Sequence, residues 1–418
     1  MLTVAEAIAE IVSHVGRLPP TRVALADALG LVLAEDVFSD LDSPPFDKSL
    51  MDGYAVRSRD VSTGKARLRV TEEVLAGQVA RHSVGAQEAI RIMTGAPIPD
   101  GADAVVPVEH TRLDATDAEV LVETPAVAPG RNILKRGEST RQGTRVLSAG
   151  RQVRPQETGC LAELGKDTVS VYPRPRIAVL ATGDELVPVS ETPGPGQIRN
   201  SNEAMLAAQV RRLGAEPIPL GVARDRHAEL SERIAEGLAC DMLLLSGGVS
   251  AGKLDLVPAV LAEAGVRQVF HKVRVKPGQP IWFGILDRPA DAGAGISERK
   301  HVRTPSPCCV FGLPGNPVSS LVCCELFART GIRRLMGIEP AVPAPVLARL
   351  TKDHFAGGNR PTYHPARWEA TGTESVVEAV RWVGSADLCA TVEANAMVLF
   401  PEGERMYSAG TMVDVFLW

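Results

Sequence analysis

From Ile177 to Ser319 the chain alternates apolar, strand-like runs with amphipathic helical patterns, and four of those runs end in polar or glycine-rich turns. The turns read Thr182-Gly183-Asp184-Glu185, Arg224-Asp225, Ser246-Gly247-Gly248-Val249-Ser250 and Gly312-Leu313-Pro314-Gly315-Asn316-Pro317. Strand and helix in alternation predict a doubly wound α/β domain around a parallel sheet. Ligands of such sheets sit in the crevice outside the carboxyl ends of the strands. Carboxylates, glycine turns and a proline-framed loop converging there point to a ligand that carries phosphate and a metal.

The individual segments follow from their patterns. Arg176–Thr182 is a continuous apolar run, as in a parallel strand buried on both faces. Asn200 and Glu203 open a helix whose face is Leu206, Val210 and Leu213, with Gly214 at its stop. Ile218, Leu220 and Val222 alternate as a strand, and Leu230, Ile234 and Leu238 line the next helix. Residues 241–245 form a third strand, 256–264 a helix, Val273, Val275 and 281–285 further strands, and 318–330 a closing helix. Lys276 is expected at the end of one of these strands, beside the Pro277-Gly278 turn. Residues 287–307 interrupt the pattern with Ala, Gly, Pro and charge; Arg299, Lys300, His301 and Arg303 read as a solvated loop or as a basic flap over an anion.

Upstream, Thr3 and Glu6 fit a capping box ahead of a helix with Ile8, Ile11, Val12 and Val15 on one face. A second helical stretch is expected over 25–33. From Phe46 onward glycines punctuate short β-like runs such as 89–93 and 104–108, giving a small turn-rich β domain. A helical return over 151–164 and a Pro-rich hinge at 172–175 follow. Beyond Pro343 the texture is β again, with runs at 376–377, 380–383, 396–400 and 412–417. The expected architecture is therefore α/β multidomain. Its parts are an N-terminal helical/linker domain (1–45 with 146–174), an inserted small β domain (46–145), the doubly wound domain (175–335) and a C-terminal small β-barrel-like domain (336–418).

Several classes are disfavoured by the totals. A length of 418 residues implies several cores. A net charge of −5 gives no global attraction to nucleic acid. No apolar run approaches the roughly 18 residues of a membrane helix, and the N-terminus lacks a basic n-region and a cleavage signal. A cytoplasmic protein is the expectation. The seven cysteines include no C-x-x-C and read as reduced, mostly buried thiols, and the eight histidines form no metal-binding pair.

The motifs carry the chemistry. Residues 246–250, between a buried strand and a helix, can offer backbone amides to an anion. Asp184, Glu185, Asp225 and Asp255 are the candidate acids; magnesium takes one or two carboxylates directly and completes its shell with water and phosphate oxygens. Any one of them alone reads equally as a helix cap or surface charge. Lys276 is a point charge for an anion, or an ordinary turn lysine. Pro314 and Pro317 stiffen a loop that feeds a helix N-terminus at Val318-Ser319.

Pro44-Pro45-Phe46-Asp47, Met51-Asp52-Gly53-Tyr54-Ala55-Val56-Arg57, Ile92-Met93-Thr94-Gly95-Ala96-Pro97, Thr182-Gly183-Asp184-Glu185-Leu186, the 246–250 turn with Gly252 and Asp255, Lys276-Pro277-Gly278 and the 312–319 loop occur in this order. Together they resemble the molybdopterin molybdenumtransferase family, which includes the E domain of gephyrin. The resemblance spans nearly the whole chain. It implies that adenylylated molybdopterin and molybdate give molybdenum cofactor and AMP, with Mg²⁺ as the usual divalent cation. Asp225 and Asp255, with Glu185 in the same cleft, would hold the metal; Asp184 and the glycine turn (Ser246, Gly247, Gly248, Ser250) would border the substrate. Lys276, Ser319, Arg360 and Ser385 would line the molybdate site, with Pro314, Asn316 and Pro317 in the loop beside it. Asp52 and Thr94, in the inserted β domain, would complete the cleft of a second subunit, so the implied active unit is a homodimer. Implied protein partners are molybdopterin adenylyltransferase and recipient molybdoenzymes.

The chain departs from the family pattern in places. Gln279 stands where a second lysine is common, Lys253 where many relatives carry an acid, and Ser139 where many have Asp. Gln279 removes a positive charge from the expected oxyanion site. Two alternatives stay open at this level. One is the preceding adenylylation step, whose family usually reads T-G-G-T-G where this chain has Ser-Gly-Gly-Val-Ser. The other is a catalytically weak cofactor-binding or scaffold protein.

Overall fold

The computed structural model describes residues 1–249, 256–288 and 306–418. It divides into two compact units: Met1–Glu35 with Gly150–Thr158 and Thr168–Trp418, and Asp36–Ala149 with Gly159–Asp167.

The smaller unit is built on a six-stranded sheet in the spatial order Ala104–Pro107, Gly53–Val56, Glu88–Ile92, Lys65–Val74, Glu119–Glu123, Thr111–Leu113. The period-two rule of strands sets its two apolar faces. Tyr54, Val56, Ala104 and Val106 enter one cluster, and Ala55, Ile90, Ile92 and Val105 the other.

In the larger unit the first helix, Val4–His14, carries the anticipated capping box between Thr3 and Glu6. The expected helix over 25–33 does not form. Leu25–Asp27 is a single 3-10 turn, Gly30 reverses the chain at φ 81°, and Val32–Leu33 pairs with Val171 and Tyr172. Backbone pairing to a distant strand outweighs the local apolar periodicity there.

The α/β core runs β1 (Arg176–Thr182), α1 (Ser201–Arg212), β2 (Glu216–Ala223), α2 (His227–Leu238), β3 (Met242–Ser246), α3 (Val257–Glu263), β4 (Arg267–His271), β5 (Trp282–Leu286), β6 (Cys308–Leu313) and α4 (Pro317–Cys323). A π-helical segment, Cys324–Ala328, joins α4 to α5 (Arg329–Leu335). The sheet order is β2-β1-β3-β6-β5-β4, with β2, β1, β3 and β6 mutually parallel, β5 antiparallel to β6, and β4 antiparallel to β5. Strand β4 is absent from the sequence-based expectation. Alternate residues of the buried strands feed separate cores on the two faces: Ile177, Val179, Met242 and Leu244 on one, Ala178, Leu180, Leu243 and Leu245 on the other. Residues 289–305, most of the 287–307 insertion, lie outside the described residues.

The last strands, β7 (Val346–Leu350), β8 (Thr362–Thr371), β9 (Glu374–Ala379), β10 (Ala396–Phe400) and β11 (Met412–Leu417), close into a five-stranded barrel. Tyr363 and Met397 from its wall join the α/β core cluster. The expected strand over 380–383 is irregular chain instead: Val380 N–H still donates to Pro365 O, and pairing stops there. The buried cysteines 240, 308, 309, 323 and 324 are free thiols, and burial pushes the Cys308 thiol up to about 12.

Candidate functional site

Because β1, β2, β3 and β6 are parallel, their four carboxyl-terminal turns share one sheet edge. The strand order reverses between β1 and β3, and that switch point is where an open α/β sheet opens a crevice. Gly247 sits there at φ 99°, and a Cβ on it would lie 2.5 Å from the Thr182 carbonyl oxygen. The close approach requires glycine. The Gly247 N–H donates to Leu313 O at 3.1 Å, so this amide serves the sheet edge and not an anion, contrary to the sequence-based expectation.

Ser246 and Gly315 are tied together by a residue the sequence reading passed over. Asn202, near the start of α1, donates its amide to Ser246 Oγ and to Gly315 O, both at 2.7 Å. Its Oδ1 and the Thr182 hydroxyl are buried without a partner among the described residues. Only the fold could reveal this, since an asparagine in the first turn of a helix reads as an ordinary capping residue.

The acids Asp184, Glu185 and Asp225 lie at the ends of neighbouring strands β1 and β2, all exposed. The Asp225 N–H donates to Asp184 Oδ1 at 3.3 Å, and Arg224 donates to Asp184 O at 2.6 Å. Among the described residues no three His, Cys, Asp or Glu side chains group closely enough to hold a metal. Ser250 and Asp255 lie outside the described residues.

Lys276 does not end a strand. It forms an isolated bridge to Thr362 of the barrel, with its N–H on Pro361 O (2.9 Å) and its carbonyl receiving Tyr363 N–H (2.7 Å). It nevertheless reaches the same sheet edge. Strand β5 is antiparallel to β6, with Trp282 opposite Gly312, so the turn that precedes β5 stands beside the loop that follows β6.

A cavity of about 780 Å³ opens there, between that turn, the 314–319 loop and the barrel. Lys276, Gln279, Pro314, Asn316, Ser319, Arg360 and Ser385 all line it, and among the described residues no carboxylate does. Ser385 is held against the start of α4: its carbonyl accepts Val318 N–H at 3.0 Å and its hydroxyl accepts the Asn316 amide at 2.9 Å. Pro317 occupies the first position of α4, where a missing N–H costs nothing. Arg360 donates to Gln279 Oε1, so the glutamine replaces a charge with an acceptor that orients the arginine. Among the described residues Lys276 Nζ meets Gly357 O, at 3.4 Å.

The opposite wall holds His354, His364, Trp382 and Phe400, which the sequence reading did not single out. Burial holds both imidazoles below the ordinary histidine range, His364 at about 4. For His364 the unfolded chain therefore takes up its proton first as pH falls. This predicts that between pH 6.5 and 4 the parent loses about 3 kcal/mol more stability than a His364→Gln variant. Denaturant titrations across that range check it; parallel curves would refute it.

Asp52 and Thr94 belong to the smaller unit. The Thr94 hydroxyl and N–H donate to Asp52 Oδ1 at 2.7 and 2.6 Å, and these bonds hold the carboxyl below its usual range.

Fold and site define an α/β protein with an appended β-barrel and, at the carboxyl edge of its sheet, a cavity lined by Lys276 and Arg360 and by no carboxylate among the described residues. Three family models match in order: MoeA N-terminal region (domain I and II) over residues 2–165, probable molybdopterin binding domain over 178–334, and MoeA C-terminal region (domain IV) over 347–418. A Staphylococcus aureus (strain COL) protein named molybdopterin molybdenumtransferase is 33% identical over 424 residues, covering 100% of this chain and 95% of that protein. The Bacillus subtilis (strain 168) protein of the same name is 33% identical over 406 residues, covering 94% and 89%. The crystal structure of a molybdopterin biosynthesis MoeA protein from Pyrococcus horikosii superposes with a TM-score of 0.79 at 30% identity, covering 100% and 99% of the two chains. The chain belongs to the MoeA, or molybdopterin molybdenumtransferase, family.

Proposed function

We propose that this protein inserts molybdate into adenylylated molybdopterin and releases AMP. The observation that carries the reading is the cavity where Lys276, Arg360, Ser319 and Ser385 meet, with no carboxylate among the described residues, beside a glycine-lined switch point. A tetrahedral dianion needs cationic and hydroxyl donors in a site that is already built. Lys276 and Arg360 supply the charge; the Ser385–Asn316 bond and the Pro314–Pro317 frame supply the rigidity.

A divalent cation, Mg²⁺ in our reading, fits the oxygen-only donors at the adjoining ends of β1 and β2. One or two carboxylates suffice for it, the remaining positions going to water and phosphate oxygens. Glu185 and Asp225, with Asp255, would hold it, and it would neutralise pyrophosphate charge. Asp255→Asn is expected to weaken Mg²⁺ affinity, read by calorimetry on the protein without substrate; unchanged affinity would remove Asp255 from the set. Our reading also makes the protein a cytoplasmic homodimer in which Asp52 and Thr94 serve the partner's cleft, receiving substrate from an adenylyltransferase and passing cofactor to molybdoenzymes.

The test is AMP release from adenylylated molybdopterin by the purified protein, with and without molybdate and Mg²⁺. Molybdate-dependent release supports the function. Tight binding of the nucleotide without release would make this a cofactor-binding protein.

A further inference from the structure

His354 and His364 face the same cavity as Lys276, Arg360, Ser319 and Ser385, yet anion binding alone does not require them. Their rings meet edge-on with centroids 4.8 Å apart. His354 stacks on Phe400 at 4.5 Å, and His364 meets Trp382 edge-on at 5.2 Å. Both imidazoles are thus fixed by aromatic packing, not by ion pairs. His364 Nε2 lies 2.9 Å from the Val380 carbonyl. A carbonyl only accepts, so Nε2 carries the proton and Nδ1 is left bare. The ring nitrogens of His354 meet no protein partner among the described residues, which leaves both for a ligand.

The groups around this pair are Lys276 from the turn before β5, Arg360 from the chain entering β8, and Tyr407, which pairs with His354 across the short strands His354–Ala356 and Arg405–Tyr407. Among the described residues no acid lines the cavity to hold an imidazolium. Burial, with Lys276 acting on His364, keeps the rings neutral near pH 7. A neutral imidazole has one N–H to give and one lone pair to receive a proton, which is what a relay needs. A dianion arriving beside it favours the protonated form and so makes proton uptake easier when substrate is bound.

The inference rests on the function proposed above. Exchange of an oxo group of molybdate for a dithiol consumes the two thiol protons. Two S–H bonds and one Mo–O bond break, two Mo–S bonds form, and the oxo leaves as water. The dianionic charge and the oxidation state of molybdenum are unchanged, so no redox partner is needed. We propose that His354 is the relay that takes protons from the substrate thiols and delivers them to the departing oxo group, with His364 as the residue that positions it.

The test compares parent, His354→Gln and His354→Asn as full-length proteins. Three quantities are read: molybdate affinity by calorimetry, rate of molybdenum cofactor formation, and the solvent deuterium effect on that rate. Glutamine keeps a polar group of similar reach but cannot relay. The expected result is cofactor formation slowed about 100-fold, within the usual range for general acid–base groups, with molybdate affinity held within a few-fold. Partial recovery of a His354→Ala variant by added imidazole is also expected. Formation in both folded variants within a few-fold of the active parent overturns the relay. So does a loss of rate fully matched by a loss of molybdate affinity, which makes His354 a ligand only. A parent that binds molybdate but forms no cofactor overturns the proposed function itself, and the relay falls with it.

Discussion

Lys276→Met is expected to raise the molybdate concentration needed for half-maximal AMP release by about 100-fold while leaving the thermal midpoint nearly unchanged. Among the described residues, Lys276 and Arg360 are the lysine and arginine side chains lining the cavity, and no acid lines it to oppose a bound dianion. Truncating one partner of a desolvated, hydrogen-bonded charge pair costs about 2–5 kcal/mol, or about 30- to 5,000-fold. Methionine preserves the apolar stem, so the packing of the turn survives. The protein contact of the ammonium is a 3.4 Å approach to Gly357 O, which contributes little to the fold. Arginine is not expected to restore function, because a planar fork does not replace a compact point charge. A molybdate titration of AMP release, with a melting curve, decides it; an unchanged half-saturation would remove Lys276 from the anion site.

Gly278→Ala is expected to cost about 3 kcal/mol of stability and to impair molybdate binding. Gly278 has φ 111°, where an L side chain is strained by about 1–3 kcal/mol. A Cβ there would also land on the thiol of Cys323, a fully buried residue of α4, and overpacking of that kind costs about 1–3 kcal/mol. The thiol is neutral, since burial pushes it well above its usual range, and its Sγ lies 3.5 Å from Gly278 O. The turn that presents Lys276 therefore packs closely against α4 at this thiol. Adding Cys323→Gly to Gly278→Ala makes room for the methyl and should recover the packing part but not the φ strain. A double-mutant cycle measured by denaturant unfolding separates the two; simple additivity would show that they do not touch.

The α/β core was legible because its signals are local. The apolar run of β1, the Asn200 and Glu203 cap of α1, and glycines at helix ends each declare themselves within a few residues. Turn chemistry at four strand ends pointed to the functional edge before any strand order was known. The failures share one cause. Leu25 to Leu33, Lys276 and Val380 each take their backbone partners from chain far away in sequence, so local periodicity misreads them. Strand β4 was missed because an edge strand with mixed burial carries no strong alternation.

Residue chemistry in order along the chain, with motif spacing, pointed to the fold class, to the strand ends that carry Asp184, Glu185 and Asp225, and to Lys276; Ser319, Arg360 and Ser385, which line one cavity with it, came from the family resemblance alone. Tertiary structure alone decided that no carboxylate among the described residues lines the cavity, that Gln279 receives Arg360, and that Asn202 ties two loops together. It also brought His364 of the barrel and His354 of the neighbouring short strand to the cavity that Lys276 lines. These facts depend on which distant segments pack together and what they bury. Packing of that kind is a property of the whole folded chain, and no short stretch of sequence encodes it.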